Sequence, residues 1–302
     1  MRAQRSLDFY ENQEHVVALG CFDGVHVGHT ELIRIAERIA KESKRPLAVF
    51  SFEEPPRNFF CADSIPLLTS FEEKKRIMRS LGTDLFVCVR FDSDIAELSA
   101  EKFFFGILKN KLRASHLVCG FNYRFGKNGT GDTSLLKKLC EESGIALSVV
   151  SPVVIDGITV SSSEIRKMLA DGNVKGAARL LGRPYSIVSK VVDGQHLGRT
   201  LGFPTVNQLF ETDATPLRNG VYATRVRIGH TLKRAITNVG VRPTVDGHTL
   251  CAETNIFDFE GDLYGMRLRV EFLDFIRPER KFDSVANLSD QVHKDIERAK
   301  IK

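Results

Sequence analysis

The sequence predicts a mixed α/β chain in two parts. A doubly wound parallel sheet comes first, and an antiparallel β-barrel followed by a carboxyl-terminal helix comes second. Three observations predict it. Up to about residue 180, short and almost wholly apolar runs alternate with helical patterns, as in strands buried on both faces by helices. Beyond Leu180-Leu181-Gly182-Arg183-Pro184 the runs alternate apolar with polar residues and are punctuated by turns, the texture of an antiparallel barrel or sandwich. At 302 residues the chain is long enough for two domains of ordinary size. The boundary falls near residue 183, giving domains 1–182 and 183–302.

Candidate strands of the first part are Val16–Gly20, Leu47–Phe52, Leu85–Val89, Leu117–Gly120 and Leu147–Val150, with helices near 30–43, 70–81, 99–111 and 132–143. In the first of these helices Leu32, Ile35, Ala36, Ile39 and Ala40 share one face. Ser70 and Glu73 have capping-box spacing and are expected to open the second. In the second part Tyr222, Thr224, Val226 and Ile228 alternate with Arg225 and Arg227 before a Gly229-His230 turn. Ala235 to Val239 and Leu268 to Leu273 follow in the same style. Leu288, Val292, Ile296 and Ala299 have helical spacing and are expected to pack back on the barrel. No internal repeat or low-complexity segment is evident.

The composition, 42% hydrophobic and 27% charged, is that of a soluble globular protein. The amino terminus lacks an apolar signal core and no run approaches membrane-spanning length, so the expectation is a cytoplasmic chain with no membrane partner. The net charge of +5 suits phosphate-bearing substrates, and the spread of Lys and Arg reads mostly as solvated surface. An RNA-binding protein would instead cluster Arg and Lys with exposed aromatics. No such cluster is evident, so no nucleic-acid partner is expected. The six cysteines, 21, 61, 88, 119, 140 and 251, stand far apart, several inside apolar runs. They read as core thiols of a reducing compartment rather than disulfides or zinc ligands. Oligomerisation is possible but not indicated.

The most informative segment is Gly20-Cys21-Phe22-Asp23-Gly24-Val25-His26-Val27-Gly28-His29, where a strand feeds a helix. Free N–H groups and the positive helix end at such a junction attract phosphate, and two imidazoles beside them suggest an ATP site. Gly24 and Gly28 let the backbone approach a ligand closely. Gly20, Phe22, Asp23, Gly24, His26 and His29 are therefore candidate nucleotide-binding residues, with Asp23 either a turn former or a magnesium-side carboxylate. Gly120-Phe121-Asn122-Tyr123-Arg124-Phe125-Gly126 follows the fourth strand, so it too belongs at the carboxyl edge, with Asn122 as a candidate pocket residue. Phe121 and Phe125 are either pocket walls or loop anchors. Ser161, Ser162, Ser163 and Arg166 open a helix and offer hydroxyls, N–H groups and a guanidinium to phosphate; the plain alternative is an N-cap.

In the second part Gly198-Arg199-Thr200-Leu201-Gly202-Phe203-Pro204-Thr205-Val206-Asn207 joins a glycine-rich turn to a hydroxyl and an amide at i and i+2, which share one strand face. Gly198, Gly202, Thr205 and Asn207 are candidate nucleotide or metal-binding residues, against a plain turn in which Pro204 breaks a strand. Glu253 stands before an apolar strand and by itself reads as an ordinary exposed glutamate. No Gly-x-x-x-x-Gly-Lys-Ser/Thr occurs anywhere in the chain.

Taken together, Gly-x-Phe-Asp-Gly-Val-His-x-Gly-His, Gly-x-Asn-x-x-Phe-Gly and Ser-Ser-x-x-Ile-Arg resemble the bacterial bifunctional riboflavin kinase/FMN adenylyltransferase (FAD synthetase) family. The Pro-Thr-x-Asn segment is an independent match to that family's kinase half, as are Asn238 to Thr244, Ala252 to Phe257, Leu263 to Gly265 and Ile276 to Phe282. The resemblance implies a Rossmann-like nucleotidyltransferase domain followed by a riboflavin kinase barrel. It implies that His26 and His29 contact the ATP phosphates and stabilise charge on the transferred α-phosphate. Ser161 to Ser163 and Arg166 would hold the β- and γ-phosphates, and Asn122 would help close the site. Thr205 and Asn207 would hold Mg2+ and nucleotide phosphate, and Glu253 would act as general base. Substrates would be riboflavin, FMN and ATP. Two positions depart from the family pattern: Pro55 stands where a loop histidine is usual, and Val206 where alanine is usual. A rival reading keeps adenylyl transfer and makes the barrel a flavin-binding module without catalysis.

Overall fold

The computed structural model describes residues 1–193, 203–244 and 247–300. The chain divides into two compact units, Met1–Ser162 and Ser163–Lys302.

The first unit is built on a wholly parallel sheet of β1 (Arg2–Gln4), β2 (His15–Leu19), β3 (Leu47–Phe52), β4 (Leu85–Val89), β5 (Ala114–Gly120) and β6 (Ala146–Val150), in the order β1-β4-β3-β2-β5-β6. Between the strands lie α1 (Val27–Ser43), α2 (Arg57–Phe60), α3 (Phe71–Ser80), α4 (Ser93–Ala96), α5 (Ala100–Lys102), a π-helical segment Phe103–Lys111 and α6 (Thr133–Ser143). A small β7 (Val154–Ile155)/β8 (Ile158–Thr159) hairpin completes the unit. From β2 the chain builds outward through β3 and β4, then returns to the other side of β2 for β5 and β6. The winding reverses between β2 and β5, and the crevice at their carboxyl ends is where open α/β sheets take ligands.

Successive residues of β2 enter opposite cores. Val17 and Leu19 pack with Phe50, Val87, Phe104, Leu117 and Leu136, while Val16 and Ala18 pack with Val49, Phe86, Val118, Leu32 and Ile33. Burial on both faces explains why these strands read as unbroken apolar runs. Three local details differ from expectation. Helix α1 starts at Val27 rather than near residue 30, which brings His29 into its first turn. Ser70 occupies the N-cap of α3 but its side chain makes no cap hydrogen bond, and the Glu73 carboxylate pairs with Arg76 at 2.8 and 2.9 Å. The stretch expected as one helix over 99–111 changes winding after Lys102, and the wider π turns bury Phe103, Phe104, Ile107 and Leu108 together against the sheet.

In the second unit, α8 (Val174–Leu181) follows α7 (Ser162–Ala170) and ends at Gly182 in the left-handed conformation. Strands β9 (Tyr185–Val192), β10 (Val206–Leu209), β11 (Gly220–Ile228), β12 (Thr231–Thr244), β13 (Gly247–Ile256) and β14 (Arg267–Arg277) form a closed antiparallel barrel in the order β10-β13-β12-β11-β14-β9. Helix α8 packs on β9 and β14, with Lys175 3.0 Å from Asp274. Its residues thus group with the barrel, whereas the sequence reading ends the first domain after residue 182. Tyr222, Thr224 and Val226 point one way from β11 and are buried. On the other face Val221 and Ala223 meet Ile236, Ile276 and, from α9 (Val285–Lys300), Ile296 and Ala299. The last helix therefore packs on the barrel as its spacing predicts.

All six cysteines are free thiols. Cys88, Cys119, Cys140 and Cys251 are core residues, and burial pushes the Cys119 thiol up to about 12; Cys21 and Cys61 are only half-buried.

His15 opens β2, is 1% exposed, and its Nδ1 lies 3.1 Å from the Leu112 carbonyl. Burial lowers its pKa below the ordinary value, although the Glu11 carboxylate, 3.8 Å from Nε2, works against that shift. The unfolded chain therefore takes up the proton first. The stability His15 supports is present above about pH 6.5, the ordinary value, and declines as the pH falls below it. Replacing His15 by Asn, whose amide can still donate to Leu112, is expected to flatten that decline in urea unfolding compared across the same pH interval.

Candidate active sites

At the end of β2 the chain turns through three left-handed residues, Phe22 (φ 52), Gly24 (φ 79) and Val25 (φ 38), before entering α1. Such backbone persists only when its surroundings enforce it. The enforcement is visible. The Asp23 carboxylate accepts from the backbone N–H of Leu68 at 3.0 Å and of Thr69 at 3.3 Å, and the Thr69 hydroxyl accepts from the N–H of Gly24 at 3.1 Å. Ser162 donates to the Asp23 carbonyl at 2.9 Å. The Cys21 carbonyl accepts from Ser51 Oγ at 2.7 Å and from Lys74 Nζ at 3.1 Å.

His26 is the N-cap of α1, and its Nδ1 accepts from the N–H of His29 at 3.2 Å. A neutral imidazole that accepts at Nδ1 carries its proton on Nε2, so this ring is fixed as a donor at its far nitrogen. The two imidazoles stack with centroids 3.5 Å apart, and the Phe22 ring meets His29 edge-on at 5.2 Å. Phe22 is fully buried, and a Cβ on Gly20 would come within 2.9 Å of its ring. Phe22 and Asp23 thus form the frame of the turn, with the histidines set upon it at a helix amino end.

The Gly120–Gly126 loop leaves β5, the neighbour of β2, and so stands across the same crevice. Asn122 is exposed there. Phe125 is a core anchor whose backbone bonds Gly131 at 3.1 and 2.9 Å, whereas Phe121 is exposed. Ser161 directly precedes α7, and Ser162 starts it. Ser163 and Arg166 lie on the same helix, within the second compact unit.

Two cavities of the barrel share Thr205 as a wall. One, of about 710 Å³, is lined by Pro204, Thr205, Val206, Thr254, Asp262 and Tyr264 among others. The other, of about 360 Å³, is lined by Thr205, Ile236, Asn238, Glu253, Glu279 and Phe282 among others. Glu253 sits on β13 between Asn207 of β10 and Asn238 of β12 in the strand register. Desolvation raises its pKa, Glu279 adds to the rise and Arg242 opposes it. Asn207 is buried and lines neither cavity; its Oδ1 lies 3.9 Å from the Cys251 thiol. Val206 is in the wall of the larger cavity. Gly198 and Gly202 lie outside the described residues.

One group of residues escaped the sequence reading, and another was noticed there only as a family match, with no site role given to it. Phe52, Phe59, Phe60 and Phe91 form an edge-on aromatic cluster in which Phe60 is 57% exposed, beside the loop that bears Pro55. Three phenylalanines at 52, 59 and 60 were the available signal. Glu279, Arg277 and Arg280 share the smaller cavity with Glu253 from a segment distant in sequence.

A family model described as FAD synthetase matches residues 8–164, and one described as riboflavin kinase matches residues 181–302. The bifunctional riboflavin kinase/FMN adenylyltransferase of Escherichia coli (strain K12) is 37% identical over 282 residues, covering 93% of this chain and 90% of that protein. The protein of the same name from Haemophilus influenzae is 35% identical, covering 94% and 92%. Among solved structures, one titled macrolide-efflux protein from Streptococcus pneumoniae superposes with a TM-score of 0.91 at 34% identity, covering 99% of this chain and 98% of that one. In the described residues of this chain no helix is long and apolar enough to cross a membrane. Both halves match, in order and over nearly their whole length, and the chain belongs to the bifunctional riboflavin kinase/FMN adenylyltransferase family.

Proposed function

We propose that the chain converts riboflavin to FMN at the barrel and FMN to FAD at the parallel sheet, each step consuming ATP, as its relatives are named for doing. The observation that carries this reading is that each unit holds its own set of groups suited to phosphate chemistry. His26 and His29 stand at the α1 amino end, and Glu253 stands in a cavity with Thr205. The two reactions are assigned to residues 1–182 and 183–302, with the substrates supplied as small molecules and no nucleic acid or membrane required. A cytoplasmic setting suits six free thiols.

In the adenylyl-transfer step the FMN phosphate oxygen attacks the α-phosphorus of ATP and pyrophosphate leaves, so no covalent nucleophile is needed. Positioning and charge stabilisation do the work. His26 Nε2–H and His29 face the charge that grows on the α-phosphate, aided by the N–H groups of α1. Phe22, Asp23 and Gly24 serve nucleotide binding by holding the turn open to it, with Gly20 giving room for the Phe22 ring. Asn122, Ser161, Ser162, Ser163 and Arg166 complete the phosphate contacts. The exposed Phe59 and Phe60 rings, set edge-on to one another, offer aromatic contacts of the right chemistry for an isoalloxazine ring. They occupy the loop where Pro55 replaces histidine.

In the kinase step the Glu253 carboxylate takes the proton of the terminal ribityl hydroxyl as that oxygen attacks the γ-phosphorus of ATP, and ADP departs. Riboflavin is assigned to the smaller cavity, which holds Glu253 and apolar walls, and ATP to the larger, with Thr205 between them. Gly198 and Gly202 belong to the same phosphate-binding segment. Thr205 and Asn207 supply a hydroxyl and an amide oxygen, the hard donors that Mg2+ accepts in small number alongside substrate phosphates. Among the described residues there is no cluster of three His, Cys, Asp or Glu that would form an all-protein cage instead. Bound there, Mg2+ would neutralise phosphate charge. The reading of the barrel as a non-catalytic flavin binder is disfavoured because Glu253 and Thr205 line one cavity.

A Glu253→Gln chain is expected to lose FMN formation from riboflavin by roughly a hundredfold or more while still making FAD from supplied FMN; loss of both would overturn the two-site assignment. A His29→Ala chain should show the converse, losing FAD formation by on the order of a hundredfold with FMN formation intact. Chelation of divalent metal should abolish FMN formation and excess Mg2+ restore it, followed by separation of the flavins produced.

A further inference from the structure

Lys74 lies in the charged run Phe71-Glu72-Glu73-Lys74-Lys75-Arg76, yet it is 1% exposed. Its neighbour Lys75 behaves as such a run suggests, pairing at the surface with Glu72 at 3.3 Å. A buried ammonium needs hydrogen bonds and a counter-charge to be tolerated. The hydrogen bonds are present: Nζ donates to the Phe52 carbonyl at 2.9 Å and the Cys21 carbonyl at 3.1 Å. The counter-charge is not. Both acceptors are neutral, Glu53 gives its carboxylate to Arg5 at 2.6 Å, and Glu73 gives its own to Arg76. Among the described residues no carboxylate forms an ion pair with Lys74.

The position of this charge matters. Phe52 ends β3 and Cys21 lies just past the end of β2, so Nζ bridges the two strands where their ladder stops. Cys21 belongs to the Gly20–His29 turn and directly precedes Phe22, whose ring braces His29. The cation therefore lies beneath a surface of helix N–H groups and imidazoles that already favours an anion.

We propose that Lys74 is a positioning residue of the adenylyl-transfer site, which fixes the Gly20–His29 turn across β2 and β3 and leaves beneath it a positive charge that the ATP triphosphate balances on binding. This rests on the adenylyl-transfer reading of that turn. Ser51 separates the two parts of the role, since its hydroxyl also bonds the Cys21 carbonyl, at 2.7 Å, but brings no charge.

The test uses full-length K74M, K74R and S51A chains, assayed for FAD formation from FMN over a range of ATP concentrations, with riboflavin phosphorylation in the same preparation as control. K74M is expected to raise the KM for ATP roughly tenfold or more, with riboflavin phosphorylation within about twofold of the parent. K74R should keep the KM for ATP within about threefold, and S51A should lower kcat by roughly two- to fivefold with the KM for ATP unchanged. K74M with both parameters within about twofold of the parent overturns the proposal. Should K74M fail to fold its first unit, K74R decides: a tenfold or greater rise in its KM for ATP overturns the proposal, and a near-parental value beside an unchanged KM in S51A supports it. A His29→Ala chain that still forms FAD at the parental rate instead overturns the reading of the turn itself.

Discussion

A parallel ladder has no hairpin to close it, so the last carbonyls of its strands face the solvent unless other groups reach them. In this chain that constraint is met at β2 and β3 by side chains from elsewhere: Ser51 and Lys74 at the Cys21 carbonyl, Lys74 again at Phe52. Everything at the first site builds upon that closure. The left-handed turn, the stacked imidazoles and the amino end of α1 all follow within eight residues of Cys21. The site is thus an extension of the sheet's edge rather than a loop laid over it, which gives His26 and His29 fixed directions before any ligand arrives.

The barrel meets a different constraint. Closing six strands removes every sheet edge but crowds polar backbone and side chains into a narrow interior. The interior responds with a run of hydroxyls, Thr224 to Thr237 at 2.8 Å and Thr237 to Thr254 at 2.9 Å, and with the Gln208 amide donating to Ser189 and Leu268 carbonyls. Glu253, one residue from the end of that run, faces the opposite way, into a cavity with Glu279 and two arginines. A carboxylate whose pKa is raised by desolvation and by another carboxylate nearby has an environment matched to proton transfer.

Much of this was legible in the sequence because local chemistry dictated it. Five of the six sheet strands show as apolar runs, β2, β3 and β4 because both their faces are covered, and the histidine turn shows because glycines and imidazoles have few other uses at a strand–helix junction. What was not legible depended on distance in the chain. β1 has three residues and exists only through its pairing with β4. β9 and β13 carry polar residues on the inward face, which blurs their alternation. Lys74 reads as one of several solvated charges, and nothing near it announces that Cys21 and Phe52 will fold over it.

The strand that closes the barrel is its slightest. β10 has four residues and meets β9 through only two register pairs, Asn207 with Val192 and Gln208 with Val191, against nine between β11 and β12. The seam of the barrel therefore runs through Asn207, one of the residues proposed to grip metal and phosphate. Unzipping at that seam is the least costly way for the barrel to breathe, and each such opening frees Asn207 from Val192 while leaving it paired with Glu253 on β13. Readiness for chemistry in this half of the molecule is thereby tied to how completely a cylinder stays shut.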